Sequence, residues 1–119
     1  MSKLRVRNLT RGTILADSAD VADTSRKRRT GLLKHSSLEP GQGLWIVPCE
    51  AVHSFGMKFP IDVVFLNRQR KVLKIRSNMG RRGIAFSLLA HSVLELPPGT
   101  AAAAKTEVGD RLDLERYEE

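Results

Sequence analysis

Residues 4–9, LRVRNL, alternate apolar and polar side chains, the period of a strand with one buried face. After the turn at Arg11 and Gly12, Ile14 to Ala16 predict a second short strand. Thr24 or Ser25 can cap a helix over residues 25–34, with Leu32 and Leu33 turned inward and Gly31 inside it. Glu39-Pro40-Gly41 marks a turn. The apolar run Leu44 to Val47 then reads as a buried strand that stops at Pro48. Residues 49–60 lack a period and read as irregular. Ile61 to Leu66, IDVVFL, is the clearest strand, with Lys71 to Ile75 as its hairpin partner across a polar turn. Residues 76–83 read as a basic loop. Ser92 to Leu96 predicts another strand, ended by Pro97-Pro98-Gly99. A helical turn capped by Thr100 follows over 100–105, and a last strand lies near 111–114. The pattern is mostly β, a β-rich α+β domain over residues 4–114, built as a single sandwich or a partly open barrel. Residues 115–119, ERYEE, are expected to form a loose acidic tail.

Composition narrows the class. Of 119 residues, 41% are hydrophobic, enough for a core, and one cysteine excludes an intrachain disulfide framework. No run is long and apolar enough for a membrane span. The opening MSKLRVRNLTRG lacks the apolar centre of a signal peptide, so the expected location is cytoplasmic. A domain of this size has room for a shallow cleft more than a deep pocket. Charge is uneven: residues 1–34 hold nine basic and three acidic side chains, residues 35–90 eight and three, and residues 91–119 three and seven. A basic body with an acidic end implies an anionic partner or a tail folded back on the body.

Three groups could carry chemistry. Cys49, His53 and Met57 are spaced by four and four, a soft ligand set suited to copper or zinc. The plain alternative is Cys49 and Met57 in the core with His53 hydrogen-bonded. Cys49, His53 and Asp62 can also be written as nucleophile, base and orienter, a Cys-dependent enzyme, with Lys58 helping to lower the thiol pKa. Against that, Asp62 can serve backbone N–H groups at a strand start. Basic clusters at 26–29, 68–71 and 81–82 could meet nucleic acid, although no exposed aromatic side chain is evident to stack bases. Glu95 faces away from Leu94 and Leu96 and, if buried, would want Arg28 or Arg81 as partner.

The segments ADTSRKRRTGLL, LWIVPCEAVHSFGMKFPIDVVFLN and VLELPPGTAAA, followed by VGDRL, resemble the family called domain of unknown function 192 over residues 20–114. The middle segment is the specific one: Pro-Cys, then His, then Met with a basic residue, then Pro-Ile-Asp. The chain departs from the family pattern at Thr30, at Lys34-His35 and at Asn67. The resemblance implies a compact, mostly β fold with a small helix, and no established activity. The sequence thus predicts a small non-enzymatic binding or accessory module. Its ligand or partner surface lies around residues 49–62, with Arg28, Cys49, His53, Met57, Lys58 and Asp62 as candidate contacts for an anionic small molecule or an acidic protein.

Overall fold

The computed structural model describes residues 2–118. The elements run β1 (Ser2–Asn8), β2 (Thr13–Ala22), α1 (Ser25–Thr30), β3 (Gln42–Ile46), β4 (Ala51–His53), β5 (Ile61–Leu66), β6 (Val72–Met79), β7 (Ile84–Phe86), β8 (Ser92–Leu96), α2 (Thr100–Ala103) and β9 (Leu112–Glu118). Seven strands form one mixed sheet in the order β6-β5-β8-β3-β2-β1-β9, and β4 and β7 form a small second sheet. The large sheet does not close into a barrel. Its two edges approach each other, with a bridge between Lys71 and Arg111. Among the described residues no helix is long and apolar enough to cross a membrane.

One pairing fixes the position of α1. β2 and β3 run parallel, with Ala22 opposite Ile46, and every other named pairing is antiparallel. Parallel neighbours need a long crossover rather than a tight turn, because the chain must return to the starting end of the sheet. Residues 23–41 make that crossover, and α1 lies in it. Thr24 caps the helix, its hydroxyl accepting from the Lys27 N–H. Gly31 ends it at φ +49°, a left-handed value that disfavours any side chain, and donates to the Lys27 carbonyl at 2.9 Å. The helix therefore stops at Thr30 instead of running to residue 34.

The period of two sorts the strand side chains onto two faces. Val64, Leu66, Leu94, Leu96 and Trp45 join Leu4, Val6, Leu15 and Leu112 in one core cluster. Ile61, Val63, Phe65, Val93, Leu44 and Ile46 join Leu32, Val52, Met57 and Ala85 in the other. All six residues of β5 and all five of β8 are buried, because both faces are covered.

Three further expectations change. The acidic end is not a loose tail: β9 pairs with β1 in unbroken register from Ser2–Glu118 to Asn8–Leu112. Arg5 meets Glu115 at 3.0 Å and Arg7 meets Asp113 at 2.9 Å across the pair, and Leu112 and Leu114 pack into the first core cluster. Residue 119 lies outside the described residues. Residues 76–79 belong to strand β6 rather than a loop, anchored by buried Met79 and by the Asn78 N–H donating to Asp62 at 2.8 Å. Thr100 does not cap α2. Gly99 takes that position, without a side-chain cap.

Candidate ligand cleft beside the crossover helix

A cleft of about 460 Å³ opens where α1 leaves the sheet beyond the end of β3. Its walls come from Arg28 to Leu33 on one side and from Ile46 and Pro48 to His53 on the other, with Met57 and Glu95 below. The apolar lining of Leu32, Ile46, Val52 and Met57 is one end of the second core cluster. Arg28 and Arg29 stand at the rim, since the last turn of α1 carries only basic charge.

Four of the sequence-predicted residues meet here. Arg28 lines the cleft, and its guanidinium also donates to the Asp23 carbonyl at 3.1 Å and to Ser25 Oγ at 3.4 Å. Cys49 is half-buried, and its thiol donates to the Ala51 carbonyl at 3.2 Å. Burial pushes the Cys49 thiol pKa up, with nearby Glu95 adding to the rise and Arg28 opposing it. His53 is exposed at the cleft edge, its ring stacked on Phe55 with centroids 5.4 Å apart. Met57 is buried in the cleft wall.

The other two lie elsewhere. Lys58 is exposed and does not line the cleft. Asp62 is fully buried, one carboxylate oxygen accepting from the Asn78 N–H at 2.8 Å and the other from the Ala101 N–H at 3.0 Å. It ties β6 and α2 to β5, the structural role. With both oxygens engaged on backbone, Asp62 does not orient His53, so a Cys49–His53–Asp62 relay is not built. The soft-metal set is also differently employed. The Cys49 thiol is held in its protonated form, the His53 ring is stacked, and Met57 packs in the core. Among the described residues no group of three or more His, Cys, Asp or Glu side chains is placed to hold a metal ion.

The group that sequence reasoning left out of the site is Glu95. On β8 it stands opposite Leu44 of β3 and Val63 of β5, on the face whose other members are apolar. It is 5% exposed, and among the described residues its carboxyl group makes no hydrogen bond or ion pair. The expected partnership with Arg28 or Arg81 is not formed, because Arg28 is engaged on its own helix and Arg81 is exposed. Burial alone raises its carboxyl pKa to about 7. The signal was present in SVLEL, a lone acid inside an apolar strand. Its meaning depended on which strands would flank it.

The family model DUF192, an uncharacterized ACR, matches residues 6–114. The chain belongs to the DUF192 family. A UPF0127 protein of Thermococcus sibiricus is 30% identical over 117 residues, 94% of this chain and 75% of that one. A UPF0127 protein of Pyrococcus furiosus is 31% identical over 115 residues, 92% of this chain and 97% of that one. Among solved structures, a protein of unknown function from Novosphingobium aromaticivorans superposes with a TM-score of 0.80 at 22% identity, covering 93% of this chain and 83% of that chain. That last likeness is one of fold. The resemblance read from the central Pro-Cys–His–Met segment thus places this DUF192 chain in its family, and the family carries no assigned activity.

Proposed function

We propose that the protein is a small-molecule binding module whose cleft takes an anionic ligand with an apolar body. What carries the reading is Glu95, a buried carboxyl without a protein partner at the base of a cleft rimmed by Arg28 and Arg29. Holding a carboxyl in a largely desolvated position without a protein hydrogen-bond partner costs free energy. A ligand atom that hydrogen-bonds Glu95 recovers that cost, so the site rewards occupancy. The two guanidiniums attract a carboxylate or phosphate group. The lining of Leu32, Ile46, Val52 and Met57 suits the hydrocarbon between the two polar ends. The volume falls inside the roughly 300–1,000 Å³ typical of small-molecule sites.

Protonated Glu95 donates a hydrogen bond, whereas its carboxylate repels an anion. Binding should therefore tighten from pH 8 to pH 6. Calorimetric titration with octanoate, phenyl phosphate and the neutral octanol at both pH values tests the reading. The expected result is binding of an anionic probe that weakens at least about tenfold when Arg28→Gln and Arg29→Gln are combined. The same affinity for octanol as for octanoate, or no response to the arginine substitutions, would overturn it.

A further inference from the structure

The C-terminal acids that pair with β1 leave the other end of the charge pattern uncompensated. From Asn67 to Ala90 there are seven basic side chains and no acidic one. The same stretch carries the most exposed large apolar side chains among the described residues, Leu88 at 77% and Leu89 at 83%. Beside them, β7 buries Ala85 and turns Ile84 and Phe86 to solvent. Across the small sheet, His53 pairs with Ile84, and the exposed Phe55 stacks on that histidine. The patch is thus one face of the β4–β7 sheet plus the turn that follows it.

The cations are tied to this face. Lys74 Nζ donates to the Phe86 carbonyl at 2.9 Å and lies 5.3 Å from the centre of the Phe86 ring. Arg81 and Arg82 are exposed immediately before β7, and Arg68 shares a second cleft with Leu89. We propose that this face docks on an anionic lipid surface, with Leu88 and Leu89 entering the acyl boundary and Lys74, Arg68, Arg81 and Arg82 against the headgroups.

Two physical points select that occupant. A second copy would bring one predominantly basic patch against another, with Glu50 beside Leu89 as the acid at its edge, and the net charges would repel. A folded protein partner is expected to receive anchor side chains in preformed pockets, whereas two adjacent leucines projecting from a turn suit a fluid medium that conforms to them. Apolar insertion combined with basic residues facing anionic headgroups is the general recipe for reversible surface binding.

Co-sedimentation with vesicles of phosphatidylcholine, alone or mixed with phosphatidylglycerol, tests this with the full chain. Binding is expected to the anionic vesicles at low salt and to weaken as salt rises. R81Q/R82Q should weaken partitioning about thirtyfold, and L88S/L89S about a hundredfold. All four positions are exposed, and unchanged thermal unfolding of each variant is the control. Absence of binding to anionic vesicles overturns the proposal. Undiminished binding by L88S/L89S overturns it too, leaving a generic basic surface of the kind an acidic protein would use. So do concentration-dependent dimers in buffer that L88S/L89S abolishes, which would assign the face to a second copy.

Discussion

Asp110 and Glu95 are both buried acids, and the protein treats them in opposite ways. Asp110 sits in the corner where the ends of β1 and β9 meet. Its carboxylate accepts from Asn8 Nδ2 and Arg11 Nε at 3.0 Å each and from the Glu107 N–H at 2.9 Å. Asn8 also donates to Thr106, so the corner is a closed polar network. The hydrogen bond from Arg11, reinforced by the others, holds the Asp110 pKa down to about 2 against the opposing effect of burial. Glu95 has the burial without the donors, and its pKa rises to about 7. A satisfied acid of this kind locks two segments together. An unsatisfied one is a stability liability that folding alone does not explain, and this one stands at the base of the cleft.

The comparison breaks first at Asp62, which belongs with Asp110. Asp62→Ala strands the N–H groups of Asn78 and Ala101, and the loss should be about 4 kcal/mol in urea unfolding. A loss below about 1 kcal/mol would mean that this acid is not structural. Glu95 should give the next largest effect, with pH as the variable. Its pKa is higher in the folded state than in the unfolded chain. The unfolded state therefore releases the proton first, and stability is lost as pH rises from about 4.5 to about 7. That window is worth about 3 kcal/mol. Glu95→Gln should flatten the stability curve across it, and a variant with the wild-type slope would show that another group titrates there.

Asp110 should show the opposite sign and a smaller size. Its folded pKa lies below its unfolded value, so its contribution is present above about pH 4 and lost as pH falls toward 2. Asp110→Asn should cost about 2 kcal/mol at pH 7 and almost nothing at pH 2, measured by denaturant unfolding at each pH. If the Asp110→Asn variant retained the full stability at neutral pH, Arg11 would not be the partner that matters.

How far the sequence went follows the same division between local and distant causes. β5 and β8 were legible because β-branched and leucine runs specify a buried strand locally. The far halves of β2 and β6 were not. Asp17, Ser18 and Asp20 are poor strand formers held in place by β1 and β3 on either side, and Arg76 to Asn78 are held by β5 and by Asp62. β4 and β7 are three residues each, too short for a period to register. Arg28, Cys49, His53 and Met57 reached the cleft because they lie in the crossover helix and in the segment leaving β3. Asp62 turned away because it starts a strand whose backbone neighbours needed its oxygens. Glu95 was visible as a charge among leucines, but only Leu44, Val63 and the position of α1 make it the base of a cleft.

The smallest expected effect is also the one that links the cleft residues to each other. Cys49 is held as a thiol chiefly by burial, with Glu95 adding to that and Arg28 opposing it. Alkylation by iodoacetamide requires the thiolate, so the wild-type protein should react more slowly at pH 8 than a free cysteine. Removing the Glu95 charge with Glu95→Gln should speed the reaction, and Arg28→Gln should slow it. The Arg28 change should shift stability by no more than about 0.5 kcal/mol, as for other substitutions at a partly exposed site. Opposite signs from these two substitutions would mean that both charges are felt at one sulfur, as a single ligand site requires. Equal rates in all three proteins would separate Cys49 from both Glu95 and Arg28 and confine the cleft's chemistry to its two charged ends.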